Sequence, residues 1–127
     1  MKIYAIKEKD DVLGWLLYYE KERKFYIELP DHADPWKTPL LLSSFAERGQ
    51  TTINSYWSSM WVSQRIIPSD RQNIGDILRD NGLSEYDEHQ MLVLAAGRCV
   101  QDDYYIEETE IPNELQRRFR CKGKEVL

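Results

Sequence analysis

The first thirty residues limit the fold most, because apolar side chains alternate along them. Ile3 and Ala5 alternate with Tyr4 and Ile6, the period of a strand that sends side chains to two faces. In the next run Leu13, Trp15, Leu17 and Tyr19 share one face, while Leu16 and Tyr18 lie on the other. Apolar residues on both faces predict a strand buried on both sides. Glu20-Lys21-Glu22-Arg23-Lys24 reads as a charged hairpin loop. Phe25, Ile27 and Leu29 then alternate with Tyr26 and Glu28, which predicts one face on a core and one in water. An antiparallel strand set therefore opens the chain.

Pro30, Pro35 and Pro39 end that regime, since proline has no amide hydrogen for a ladder or a helix interior. Thr38-Pro39 reads as an N-cap and first helical position, with a short helix from Leu40 to Arg48 and Gly49 closing it. Trp57 and Trp61 are spaced to share a helical face with Met60, and Pro68 ends that segment. Residues 71–81 put Ile74, Ile77 and Leu78 on one stripe, with Gly82 at the end. Ser84-Glu85-Tyr86-Asp87 resembles a capping box, and the helix after it runs towards Ala96 with Gly97 beyond. Tyr104 and Ile106 predict a late strand. Pro112 opens a short helix with Leu115 and Phe119 inward and Arg117, Arg118 and Arg120 outward. The expected class is α+β: an N-terminal antiparallel sheet, then packed helices, with a late strand returning to the sheet. Residues 1–110 form the expected domain, and 111–127 a basic C-terminal helix or tail.

The 127 residues suit about one domain, and four Trp, eight Tyr and three Phe are enough rings for a core. No apolar run approaches the ~20 residues of a membrane span, and MKIYAIKEKDD holds no signal-peptide apolar region. Cys99 and Cys121 make neither a disulfide framework nor a metal box, and His32 and His89 are the only histidines. Zinc would need about four ligands. These features point to a reducing, cytoplasmic setting without metal or cofactor.

Charge is strongly partitioned. Residues 69–110 carry three basic and eleven acidic side chains, whereas 111–127 carry five basic and two acidic. The acidic stretch would repel nucleic acid and attract a basic partner. Residues 71–96 scan like a helix-turn-helix, but Glu85, Asp87 and Glu88 stand where base and phosphate contacts need Arg, Lys, Asn or Gln. Two packed core helices explain that segment better, so direct nucleic-acid binding is not expected.

Catalytic patterns are missing: there is no GxxxxGK[ST], GxGxxG or GxSxG. A cysteine nucleophile would need a base, and neither histidine sits in a motif. Cys99 reads as a small buried residue near a helix end, and His89 as a surface residue of an acidic helix. The aromatic cluster is more informative. Trp36, Tyr56, Trp57 and Trp61 lie in the least regular third of the chain. Core packing would account for part of it. The alternative is an interface anchor, because tryptophan and arginine dominate binding hot spots. A second candidate surface is acidic, with Asp102, Asp103, Glu107 and Glu108 interleaved with tyrosines. Its plainer reading is a charged edge strand that resists aggregation.

Taken in order, VLGWLLYYEKERKFYIEL, PLLLSS, IIPSDRQNIGDIL and NGLSEYDEHQMLVLAAGRC with QDDYYI resemble the N-terminal subdomain of HipA-type toxin kinases. Gly14 and Leu16 match its hairpin, and Phe25 and Tyr26 the return strand. Pro39 and Ser43 match its second segment, Pro68 with Arg71 or Gln72 its turn, and Leu83, Asp87, Leu92 and Gly97 its helix and exit. The likeness spans roughly residues 12–106, and it is the order of the elements that carries it. Ser69-Asp70 departs from the Glu-Gly pair of that turn, and Gln101-Asp102 from its Gly-Ala. The family's kinase body has no counterpart here.

The resemblance thus implies a free-standing, HipS-like antitoxin rather than an enzyme. Such a protein would dock on a HipA-like serine/threonine kinase and cover its ATP or substrate site. Trp36, Trp57 and Trp61 are the expected anchors, with Arg65 and Arg71 as partners for acidic or phosphate groups. The competing expectation is an acidic inhibitor or immunity protein that decoys a nucleic-acid enzyme.

Overall fold

The computed structural model describes residues 1–121; the end of the expected basic tail, 122–127, lies outside them. The chain is α+β. Strands β1 (Lys2–Glu8), β2 (Asp11–Tyr19) and β3 (Lys24–Glu28) follow the alternation of the sequence. A 3₁₀ turn at Leu40–Leu42 leads into α1 (Ser43–Glu47), then β4 (Thr52–Ile53) and α2 (Ser55–Ser63). Helices α3 (Ile74–Asp80) and α4 (Glu88–Leu94), strand β5 (Tyr104–Glu108) and helix α5 (Asn113–Cys121) complete it. The sheet order is β4-β3-β2-β1-β5, antiparallel throughout. The late strand does return: β5 pairs with β1, Ile106 opposite Ile6.

Strand β2 is buried on both sides, as its composition demands. Leu16 and Tyr18 point to a core shared with Tyr4, Ile6, Phe25 and Ile27, closed by Phe45 of α1, Trp61 and Val62 of α2 and Leu92 of α4. Trp15 and Leu17 point the other way, to Ile3, Ala5, Leu115 and Phe119. The sheet is therefore a middle layer between two helical ones. Burying a side chain such as Leu115 or Phe119 contributes roughly 1.5–3 kcal/mol, so α5 belongs to the same folded unit as residues 1–110.

Covering the second face corrects two expectations. Glu28 does not face water: its side chain is 3% exposed, and Arg118, expected outward, meets it at 3.0 Å. Arg118 also pairs with Asp31 at 3.2 Å and Glu114 at 2.8 Å, so α5 is fixed to the end of β3 by charge as well as by apolar area. A lone buried carboxylate is costly, and the guanidinium fork offsets that cost.

Three local expectations also change. Thr38 does not cap the turn that follows; its hydroxyl donates back to Asp34 O at 2.8 Å. The expected capping box at 84–87 is not where the helix starts: Asp87 itself is the N-cap of α4, accepting from the His89 amide at 2.9 Å. Strand β4, which residues 49–54 did not announce, adds a fifth strand by pairing Ile53 with Ile27. At the sheet edges three outward groups are engaged. Ile106 N donates to Ala96 O at 2.9 Å, Tyr104 N to Asp102 Oδ1 at 3.0 Å, and Gln50 Nε2 to Thr52 O at 3.1 Å. Those contacts oppose strand addition at either edge.

Candidate interaction surface

Helix α2 divides the tryptophans. Its inward stripe is Ser58, Trp61, Val62 and, past its end, Arg65, the i, i+3, i+4, i+7 spacing of one helical face. Trp61 is 1% exposed, so it is core and not an anchor available to a partner. Arg65 is 5% exposed and is likewise internal. Its Nε donates to Gly97 O at 2.6 Å, its fork pairs with Asp102, and its guanidinium lies 4.4 Å from the Trp61 ring. Here arginine ties the end of α2 to the segment leading into β5, a structural role in place of the expected one toward a partner.

The remaining aromatics of α2 stay outside. Asn54 caps the helix, accepting from Trp57 N at 3.0 Å, and thereby sets the first turn. Tyr56 is 65% exposed, and its ring meets that of Trp57 edge-on at 5.1 Å. Trp57 leans on Phe45 of α1 at 6.3 Å, and Arg48 sits 5.0 Å from that ring. Met60 extends the same face one turn on and is exposed. This is an ordered aromatic ridge. Phe45 and Arg48 were not foreseen in it, since only the packing of α1 on α2 brings them there.

Trp36 is 95% exposed, in a loop that is nonetheless well tied. Asp34 Oδ1 accepts from Trp36 N at 2.9 Å, and Asp34 O accepts from the Lys37 and Thr38 amides at 3.1 Å. Leu40, just beyond Pro39, is also almost wholly exposed. Preorganised loops lose less entropy on binding, which is what an anchor requires. Arg71 is exposed, its Nε donating to Asn73 Oδ1 at 3.1 Å. It lies in the turn before α3, none of whose residues is buried.

The expected acidic surface is largely engaged by the chain's own cations. Asp102 holds Arg65, Glu107 lies 3.6 Å from Lys7, and Glu108 lies 3.6 Å from Lys2. Asp103 is exposed. The two exposed pairs, Glu107 with Lys7 and Glu108 with Lys2, are worth about 0–1 kcal/mol, yet they lower the field that a basic partner would meet.

His89, expected on the surface, is half-buried. Its Nε2 lies 2.6 Å from the Tyr4 hydroxyl, and its ring stacks on Tyr18 at 4.0 Å. Burial holds its pKa below the usual imidazole value, and burial with nearby Glu108 and Glu20 raises Tyr4 to about 12. Cys99, expected buried, is half-buried. Among the described residues no group of three or more His, Cys, Asp or Glu could hold a metal ion, and no helix is long and apolar enough to cross a membrane. Compared with known proteins, the chain matches no family model, no curated protein and no solved structure.

Proposed function

We propose that this chain is a non-catalytic binding protein, the antitoxin or regulatory partner of a HipA-like serine/threonine kinase, which docks on the kinase and blocks its active site in the cytoplasm. The observation that carries the reading is the exposed, ordered ridge of Tyr56, Trp57 and Met60. The part of these rings left in water, 65% of Tyr56 and 37% of Trp57, adds little to folding and much to an interface. Trp36 on its braced loop is a second anchor of the same kind.

The choice of partner rests on the order of the resembling segments. Those segments fall on the β2–β3 hairpin, the turn into α1, the entry to α3, helix α4 and the start of β5. The acidic-decoy reading draws less support, because Asp102, Glu107 and Glu108 are already paired.

Co-expression with a HipA-like kinase lacking its own N-terminal subdomain tests the reading. A complex on gel filtration and relief of the kinase's toxicity are expected, both weakened by Trp57→Ala and Trp36→Ala. No complex and no relief would overturn it. Loss of binding on neutralising Asp103, Glu107 and Glu108, with the tryptophan variants unaffected, would favour the acidic decoy.

A further inference from the structure

The geometry points to a ligand site in the cleft between α4 and the β2–β3 hairpin, built for a carboxylate that carries an aliphatic body. The cleft is open to solvent and has a volume of about 500 Å³, within the roughly 300–1,000 Å³ of small-ligand pockets. Its floor is the stacked pair Tyr18 and His89. One wall is aliphatic, made by Leu83, Val93 and Leu94, the last two 48% and 49% exposed. The opposite wall carries Lys2, Glu20 and Arg23.

His89 supplies a donor on the floor. Tyr4 is buried, and His89 Nε2 is the partner of its hydroxyl. With the Tyr4 hydroxyl as donor, the arrangement that leaves no buried O–H unpaired, Nε2 accepts and the ring proton of neutral His89 sits on Nδ1. Nδ1 has no hydrogen-bond partner among the described residues and is not a buried unpartnered atom, so it remains open to a ligand. Tyr4 thus fixes the tautomer, and the cleft receives an N–H donor.

Arg23 supplies the cation. Lys2 lies 3.6 Å from Glu108, and Glu20 lies 3.6 Å from the Met1 amine. Asp87 Oδ1 is held by the His89 amide in the α4 cap. Arg23 has neither an ion pair nor a hydrogen bond among the described residues, and it stands near enough to Tyr18 to oppose the rise of that phenol. A carboxylate accepting from Nδ1–H and Arg23 would lay its hydrocarbon on Val93 and Leu94. Asp87 and Glu88 act on the Tyr18 and His89 floor against an anion, and Arg23 is the charge that offsets them there.

The test is an NMR titration of the full chain with octanoate, acetate and octylammonium, following backbone amides and the Val and Leu methyl groups. Octanoate should give saturable shifts at His89, Val93 and Leu94. Acetate, lacking the aliphatic body, should bind about tenfold more weakly or worse, and octylammonium likewise. Arg23→Gln, a change on an exposed turn, should weaken octanoate about tenfold with the amide spectrum otherwise unchanged. Octylammonium binding as tightly as octanoate would overturn the carboxylate, and the absence of saturable shifts at the cleft would overturn the site. Neither result depends on a kinase, so the site and the proposed partner fail separately.

Discussion

Arg118 of the last helix meets Glu28 of β3 at 3.0 Å across ninety positions of chain, and neither side chain is more than 9% exposed. Removing one member of a buried pair strands the other charge, at a cost of about 3–5 kcal/mol. That is a large part of the ~5–15 kcal/mol by which a small domain is stable. Arg118→Met should therefore lower the denaturant midpoint sharply. The double change Glu28→Gln with Arg118→Met should cost less than Arg118→Met alone, since it leaves no stranded carboxylate there. Equal stability of Arg118→Met and the parent chain in a urea melt would show that α5 is held by Leu115 and Phe119 without the pair.

Acidification should weaken the fold through His89. Burial keeps its folded pKa below the unfolded 6.5, so the unfolded chain binds the proton more readily. Its contribution is fully present above pH 6.5 and is lost as pH falls below that value towards the folded pKa. Carboxylates add their own slope at lower pH, so the difference between parent and His89→Gln isolates the imidazole. Urea midpoints between pH 7.5 and 5 should fall less steeply in the variant; parallel curves would contradict this account.

Gly97 should resist substitution more than its neighbours in kind. Its φ is +69°, and a Cβ there would lie 2.9 Å from Ile106 Cγ2 and 3.1 Å from Ile106 N. Left-handed backbone costs alanine roughly 1–2 kcal/mol, and overpacking adds about 1–3 kcal/mol. Gly82, at φ +72° with open space around it, should show only the first of these. Thermal melts of Gly97→Ala and Gly82→Ala compare the two directly, and equal losses would mean that the approach to Ile106 relaxes freely.

The strand set was legible because period-two alternation is local: Leu16 and Tyr18 opposite Trp15 and Leu17 already implied two cores. The return of β5 was legible from Tyr104 and Ile106, and the inward pair Leu115 and Phe119 from their spacing. Hidden were the facts that depend on what covers a face. Glu28 looked solvated until α5 lay over it, and Arg118 looked outward for the same reason. Thr52–Ile53 is too short to alternate, and only its pairing with β3 makes it a strand. At the surface, Trp57 and Trp61 looked equivalent. The signal that separates them was present in Ser58, Val62 and Arg65, whose spacing puts Trp61 on the inward stripe and leaves Trp57 at its border. A serine and an arginine disguised that stripe, because their burial depends on Ile53 O and on Asp102, which are distant partners.

The tryptophans should accordingly part ways in experiment. Trp36 at 95% exposure makes little packing that a mutation could remove, so Trp36→Ala should change stability by no more than about 0.5 kcal/mol. Trp61→Ala opens a cavity beneath α2 and should cost about 3–5 kcal/mol. Trp57→Ala lies between, because the ring gives up its contact with Phe45 but already faces water. Binding to the kinase should follow the reverse order. Trp36→Ala and Trp57→Ala should each weaken it by tenfold or more, about 1.4 kcal/mol, with the fold intact. Trp61→Ala should affect binding only as far as it unfolds the chain, so its defect should recede at lower temperature, where the folded fraction recovers. Titrating each variant against the kinase by calorimetry, beside its own melting curve, separates the two effects. A Trp36→Ala and Trp57→Ala double variant that melts like the parent and still binds with parental affinity would remove both anchors from the interface.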